Sequence, residues 1–181
     1  MAYTYLTLRR KLSGKLCEDD FYEILYETQG AEDSLEKQYL YRLLFDEDKR
    51  VSDNAAWAFA HFDLHTNQWL YDKHDELVDE AMRTSSATKR RLLLNILLRQ
   101  PFTATTLRTD FLDFCLHHVT SASEPVAIRV LCLKLAYQQS LFYPELLAEL
   151  KNTLEMMEPE LLQAGLKTAR RNVLKQILAD I

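Results

Sequence analysis

The pattern of apolar and polar positions predicts α-helices along the whole chain. Between residues 126 and 137 the apolar side chains follow one another every three or four residues, which places them on one helical face. These positions are Val126, Val130, Leu133 and Tyr137. Pro144 suits the first turn of a second helix, because the missing N–H of proline has no intrahelical partner there. The apolar face of that second helix consists of Leu146, Leu147, Leu150, Leu154 and Met157.

Pairs of such helices recur along the sequence. The first helices of successive pairs can be aligned at Val51, Lys89 and Val126, which are 38 and 37 residues apart. The second helices begin near Thr66, Thr106 and Tyr143. A helical pair with two apolar faces needs neighbours to bury both, so a period of about 40 residues predicts an α-solenoid. We therefore expect an all-α fold, a right-handed α-α superhelix of about nine to ten helices.

Three further helices are predicted before this repeat begins. They cover about residues 4–12, 18–28 and 33–45. The third is expected to bury Leu35, Tyr39 and Leu43, which lie on one face. Downstream, Ser85 or Ser86 is expected to cap the helix that follows it.

Two stretches of sequence resemble HEAT repeats. KRVSDNAAWAFAHF is similar to the first helix of such a repeat, and EPVAIRVLCLKLAY followed by YPELLAELKNTLEMME is similar to a complete one. The resemblance covers roughly residues 48–181 and implies stacked helical pairs, without implying any chemistry. The chain also resembles a group of small bacterial helical-repeat proteins, which implies no activity. We expect one domain, 1–181, with capping helices in 1–47 and HEAT-like repeats in 48–181.

Composition supports a helical globular protein. The chain of 181 residues is 48% hydrophobic and 27% charged, which argues against disorder, and 3 Gly leave little material for tight strand connections. Charged residues interrupt every apolar stretch, so no membrane association is expected. The N-terminus lacks the features of a signal peptide. The three cysteines, Cys17, Cys115 and Cys132, show no metal-binding spacing, so we expect a reduced, cytoplasmic protein without a cofactor.

Charge is unevenly distributed along the chain. The net charge is −5, and residues 21–80 carry 15 acidic and 5 basic residues whereas residues 81–181 carry 9 and 13. The acidic first half would repel a phosphate backbone, which disfavours nucleic acid as a partner.

Basic residues recur on the first helices, at positions that would face outward in a HEAT-like stack. Scattered exposed charges are usually a solvated surface, because salt screens them. If the positions instead align into one ridge, an acidic partner becomes a second possibility. The residues of this possible basic ridge are Lys89, Arg90, Arg91, Arg129, Lys134, Arg170 and Arg171.

Few side chains offer candidate chemistry. Asp113 and His117 are four residues apart on one helix, a spacing that fits either an oriented general base or an exposed helical pair. His61 and His65 have a helical metal-ligand spacing, yet no third ligand is evident, so no metal site is predicted. No nucleophile accompanies any of these residues, and no catalytic residue is predicted.

The two tryptophans have different expected roles. Trp57 lies among alanines typical of a helix interface, so core packing is the favoured interpretation. Trp69 lies on a second helix, the position from which solenoid proteins bind partners, and either role is open. Trp69, Asp113 and His117 are therefore the candidate partner-binding residues.

Two hypotheses for function follow. The first is a non-catalytic protein-interaction or scaffolding module whose partner is another protein. The alternative is a HEAT-like DNA-repair glycosylase or another nucleic-acid-binding helical-repeat protein. Such glycosylases use stacked helical pairs with a basic concave face and aromatic residues around an Asp. The acidic first half departs from that pattern, and no Trp–Asp–Trp cluster can be assigned. The sequence indicates neither the partner nor the oligomeric state.

Overall fold

The computed structural model of the chain describes residues 3–29 and 33–180. Within them the chain forms ten α-helices of nine or more residues and one short helix, with no β-strand. The helices are α1 (Tyr5–Ser13), α2 (Glu18–Gln29), α3 (Leu35–Leu43), α4 (Lys49–Ala60), α5 (Leu64–Asn67), α6 (His74–Arg83), α7 (Ala87–Leu98), α8 (Thr109–Thr120), α9 (Val126–Ser140), α10 (Pro144–Met156) and α11 (Ala164–Asp180). Single 3₁₀ segments lie at Gln68–Lys73, Ala104–Thr106 and Pro159–Leu161. The predicted all-α fold is confirmed.

Short polar side chains fix where several helices begin. The Asp48 carboxylate accepts a hydrogen bond from the Arg50 backbone N–H at 2.8 Å, at the start of α4. Ser86 caps α7 in the same way, accepting from the Lys89 N–H at 3.2 Å. Each bond satisfies a backbone donor that has no partner within its own helix. Of the two predicted caps, Ser85 and Ser86, it is Ser86 that starts the helix.

The helices group into two compact units, residues 1–100 and 101–181. In the N-terminal unit, α4 packs against α1, α3 and α7, and α6 packs against α7. Small residues of α4, such as Ala55, Ala56 and Ala58, are buried and allow these helices to approach closely. The core is completed by leucine and phenylalanine side chains, including Leu12, Leu43, Phe59, Leu77, Leu93 and Leu97.

In the C-terminal unit, α9 is the central helix and packs against α8, α10 and α11. Its buried positions occur on several sides, as expected for a helix surrounded by three others. Cys115 of α8 and Cys132 of α9 are both buried in this core. Burial raises the pKa of the Cys115 thiol, and the adjacent Cys132 raises it further, so Cys115 stays a neutral core side chain.

Two local predictions were wrong. The helix expected from Thr66 is instead α5, a 3₁₀ segment and α6, because the Asp63 carboxylate accepts the Thr66 N–H at 2.7 Å and starts a short helix earlier. Leu35 is 60% exposed. Leu35 is exposed because Ser34 caps α3, which makes Leu35 the first residue of the helix. At that position Leu35 lies outside the packed face that contains Leu40 and Leu43.

Within the described parts of the chain, no helix is both long and apolar enough to cross a membrane. The expected division into capping helices in 1–47 and repeats in 48–181 stays a prediction, as does the single domain.

Candidate functional site

Helix α2 has two apolar faces, and the described residues bury the inner face but leave much of the outer face exposed. The inner face packs into the N-terminal unit and consists of Phe21, Ile24 and Thr28. The outer face has the same helical spacing and consists of Tyr22, Leu25, Tyr26 and Gln29. On this outer face, Tyr22 is 60% exposed and Tyr26 is 81% exposed. Two aromatic rings one helical turn apart therefore face solvent.

The outer face of α2 forms one wall of an open groove of about 950 Å³. The opposite side comes from the start of α3 and from α5. We call this feature the acidic-aromatic groove; it is lined by Tyr22, Leu25, Tyr26, Glu27, Gln29, Ser34, Glu36, Asp63 and Thr66.

Helix caps hold the wall opposite α2 in place. Ser34 accepts a hydrogen bond from the Lys37 N–H at 3.1 Å, and Asp63 accepts one from the Thr66 N–H at 2.7 Å. The Thr66 N–H also lowers the pKa of the Asp63 carboxyl, because the hydrogen bond favours the charged form. Asp63 is therefore ionised at neutral pH.

The charged residues in the described lining of the groove are all acidic. Three carboxylates line it, from Glu27, Glu36 and Asp63, and its described lining contains no lysine or arginine. Carboxylates grouped along one groove reinforce one another's field. The groove thus combines an aromatic wall with a negative potential.

Trp69, a candidate partner-binding residue, lies in a separate cluster within the same unit. Its indole N–H donates to the Asp33 carboxylate at 3.2 Å, and the Lys73 ammonium lies 4.0 Å from its ring centroid. The ring also meets Tyr41 edge-on, with centroids 5.7 Å apart. Burial and the nearby Glu76 carboxylate raise the pKa of Tyr41, so its hydroxyl remains a donor. These contacts give Trp69 a packing role, and its partner-binding role stays a prediction.

Asp113 and His117 are both exposed on α8, and within the described structure no hydrogen bond joins them. The neighbouring His118 is instead anchored, with its Nδ1 2.8 Å from the Phe114 carbonyl and its ring 3.9 Å from that of Phe114. The pair therefore has the geometry of exposed helical residues, and its role in partner binding stays a prediction.

His61 serves aromatic packing at the end of α4. Its Nδ1 lies 2.8 Å from the Trp57 carbonyl, and its ring contacts Phe21 and Trp57 edge-on. Phe21 and Trp57 stack at 3.7 Å, which supports the predicted packing role of Trp57. In the part of the chain that the structure describes, no group of three or more His, Cys, Asp or Glu side chains could hold a metal ion.

The predicted basic ridge includes two residues that are not on the surface. Lys89 is 4% exposed, and its ammonium lies 2.6 Å from the Glu80 carboxylate, which is itself buried. Arg129 is 8% exposed and donates to the Val119 carbonyl at 3.0 Å. Both were expected to face outward and do not, because Lys89 forms an ion pair with Glu80 and Arg129 donates to the Val119 carbonyl, each on the preceding helix.

Three arginines repeat one contact along the chain. Arg90, Arg129 and Arg170 are 39 and 41 residues apart, which matches the helical-pair period. Each donates from Nε to a carbonyl in the last turn of the preceding helix. The acceptors are Ala81 at 3.1 Å, Val119 at 3.0 Å and Leu154 at 2.6 Å. Because each arginine and its acceptor lie on helices of successive pairs, these arginines join the pairs.

The remaining ridge positions, Arg91, Lys134 and Arg171, are exposed. Their role in binding an acidic partner stays a prediction. The periodically spaced basic residues thus fall into two groups: some join helices, and the others face solvent.

Sequence reasoning missed the acidic-aromatic groove. The outer face of α2 was visible as a second set of apolar residues at helical spacing, including Tyr22 and Tyr26. The opposite wall was not visible, because Asp63 and Thr66 come from a helix about 40 residues later whose start was misplaced.

The helices and their repeated contacts define an all-α protein built from packed helical pairs. The chain belongs to the HEAT repeat domain family, whose model matches residues 8–177. This confirms the resemblance and extends it N-terminal of residue 48. The fold is also similar to the crystal structure of an engineered protein from the Northeast Structural Genomics Consortium. That similarity has a TM-score of 0.66 at 13% identity and covers 97% of this chain and 80% of the other. No curated protein matches the chain significantly.

Proposed function

We propose that this HEAT repeat protein is a non-catalytic protein-interaction module that binds a segment of its partner in the acidic-aromatic groove. Membership of the HEAT repeat family supports the general role. The observation that carries the specific proposal is the uncovered outer face of α2, on which Tyr22 and Tyr26 are 60% and 81% exposed.

Exposed tyrosines in a groove suit protein recognition. A tyrosine ring offers a large contact area with few rotatable bonds, so little conformational entropy is lost when a partner covers it. Tyrosine is also enriched among the residues that dominate binding energy at protein interfaces. An open groove accommodates an extended or helical segment better than it encloses a small molecule.

Other observations weigh against the nucleic-acid alternative. The carboxylates of the groove would repel phosphates. In addition, Arg90, Arg129 and Arg170 donate to backbone carbonyls, which reduces the basic surface available to a nucleic acid.

Selection from an unbiased library of displayed peptides tests this proposal. Wild-type protein is compared with the double variant Tyr22→Ala/Tyr26→Ala and with the control Tyr143→Ala, which removes an exposed tyrosine of the C-terminal unit. Selected peptides should bind wild type and the control alike and lose affinity at least about tenfold, or about 1.4 kcal/mol, for the double variant. Urea unfolding first establishes that all three proteins are folded.

The proposal fails if selection yields no peptide that distinguishes wild type from the double variant. It also fails if Tyr143→Ala reduces binding as much as the double variant does, since the groove would then have no special role.

A further inference from the structure

We infer that the segment bound in the acidic-aromatic groove is a basic one, in which lysine or arginine side chains alternate with apolar side chains. This inference rests on the proposed function and specifies the chemistry of the partner. It follows from the charges that line the groove and from the way the neighbouring cations are used.

The groove itself presents three carboxylates and, among its described lining residues, no cation. Asp63 is held in its charged form by the Thr66 N–H, which lowers its pKa. Glu36 lies in the first turn of α3, where the helix dipole also favours a negative charge. An acidic segment entering this groove would be repelled, whereas a basic one would be attracted.

Most cations of the surrounding sequence are engaged elsewhere. Residues 21–80 carry 5 basic residues against 15 acidic ones. Lys37 is buried, Lys49 pairs with Asp53 at 2.7 Å, and Lys73 lies over the Trp69 ring. The guanidinium of Arg42 stacks over Tyr5, 4.9 Å from the ring centroid. None of these cations is among the described residues that line the groove.

The aromatic wall complements a basic side chain as well as an apolar one. The faces of Tyr22 and Tyr26 can accept a guanidinium or ammonium group by cation–π contact. The methylene stems of lysine and arginine pack on the same rings while their charged ends reach the carboxylates. Leu25, between the two tyrosines, provides a contact for an apolar side chain. A segment that alternates the two kinds of residue therefore satisfies both features of the groove.

Labelled peptides of defined composition test the inference. The probes are fluorescein-labelled peptides of equal length that alternate Arg with Leu, Arg with Ser, or Glu with Leu, and binding is followed by fluorescence anisotropy. The Arg–Leu peptide should bind most tightly, the Arg–Ser peptide more weakly and the Glu–Leu peptide least. Raising the ionic strength should weaken the binding of both arginine peptides, because salt screens the attraction.

Charge reversal at two glutamates, the half-buried Glu36 of the groove and the exposed Glu158 of the C-terminal unit, locates the binding. Glu36→Lys should weaken binding of the Arg–Leu peptide at least about tenfold at low salt. Glu158→Lys makes the same change of charge in the C-terminal unit, and it should alter the affinity for the Arg–Leu peptide by less than about twofold. Tyr26→Ala should weaken the binding of both the Arg–Leu peptide and the Arg–Ser peptide, because the arginines of both peptides contact the Tyr26 ring.

Two results would overturn the inference. One is equal binding of the Arg–Leu peptide to wild type and to Glu36→Lys. The other is a set of displayed peptides that depend on Tyr22 and Tyr26 yet are neutral or acidic, in which case the proposed function stands and only the chemistry of the partner is wrong. Absence of any tyrosine-dependent peptide would instead refute the proposed function itself.

Discussion

The two compact units join their helices with different polar contacts. In the N-terminal unit two contacts involve carboxylates with little exposure. The Glu80 carboxylate pairs with the buried Lys89 at 2.6 Å, and Asp46 accepts two hydrogen bonds from the Arg9 guanidinium, at 2.7 and 2.9 Å. In both contacts the acceptor is a group that protonation or mutation can neutralise.

In the C-terminal unit the contacts between helices that stand out are those of arginines with backbone carbonyls, a contact that the N-terminal unit also has at Arg90. Arg129 and Arg170 donate to the last turns of α8 and α10. Two ion pairs of this unit, Lys151 with Glu155 and Lys167 with Glu160, involve exposed glutamates and contribute little, because water and salt screen them. A carbonyl acceptor cannot be titrated, so the contacts of Arg129 and Arg170 do not depend on carboxylate ionisation.

The comparison separates contacts that recur with the helical-pair period from contacts that do not. The arginine-to-carbonyl contact recurs in both units, at Arg90 as well as at Arg129 and Arg170, and maintains the stacking of helical pairs. The Glu80 and Asp46 contacts and the acidic-aromatic groove lie in the N-terminal unit and do not follow the period of the repeat. Features that depart from the repeat are therefore the better candidates for specific recognition.

The largest expected effect is at the buried ion pair of the N-terminal unit. Glu80→Gln keeps the shape of the side chain but leaves the Lys89 ammonium buried without a counterion. Removing one partner of a buried pair costs about 3 to 5 kcal/mol, so the free energy of unfolding should fall by an amount in this range. Both tryptophans of the chain lie in this unit, so urea unfolding followed by tryptophan fluorescence reports on it.

Two variants sharpen this test. Glu155→Gln removes an exposed glutamate from the C-terminal unit and should change stability by less than about 0.5 kcal/mol. Glu80→Gln/Lys89→Met removes both charges and should recover part of the loss. Equal effects of Glu80→Gln and Glu155→Gln would mean that the buried pair is unimportant and would remove the contrast between the units.

An intermediate effect is expected in the C-terminal unit from Arg129→Met. The methionine preserves most of the buried stem but leaves the Val119 carbonyl without its charged donor. A hydrogen bond to a charged group contributes about 1.5 to 3 kcal/mol, so amides of α8 and α9 should lose protection against hydrogen exchange by that amount. Lys134→Met, at an exposed position of the same helix, is the matched control. Unchanged protection in Arg129→Met would refute the joining role of the arginine.

The sequence predicted the helices well because their signals are local. Ser86 starts α7 and Pro144 starts α10, each at a position where the backbone geometry of a helix start requires that residue type. The error at Thr66 has a local cause too, since Asp63 competes as a cap three residues earlier. The exposure of Leu35 likewise follows from the exact position of the Ser34 cap.

The roles of charged residues were less predictable because their partners lie on other helices. Spacing placed Lys89 and Arg129 on first helices, but burial depends on Glu80 and Val119, which α6 and α8 contribute. The groove was missed for the same reason. Its aromatic wall was visible in α2, whereas its acidic wall requires the tertiary arrangement of α3 and α5.

The smallest expected effect is on how the free energy of unfolding depends on pH. It tests whether a carboxylate acceptor, unlike a backbone carbonyl, makes the stability of the protein depend on pH. The hydrogen bonds from Arg9 lower the pKa of Asp46 in the folded protein. A carboxyl with a lowered folded pKa stabilises the protein fully above its ordinary pKa of about 3.9. This stabilisation is lost as the pH falls through the folded pKa.

Asp46→Asn imitates the protonated carboxyl and should therefore be less stable than wild type at pH 7. The expected difference is about 1 kcal/mol, because Arg9 is partly exposed and water weakens the pair. Urea unfolding followed by tryptophan fluorescence should show this difference narrowing as the pH is lowered below about 4. A difference that stays constant with pH would mean that the Asp46 carboxylate charge does not stabilise the N-terminal unit. Asp46 would then contribute only through its shape and neutral hydrogen bonds, as the carbonyl acceptors of the C-terminal unit do.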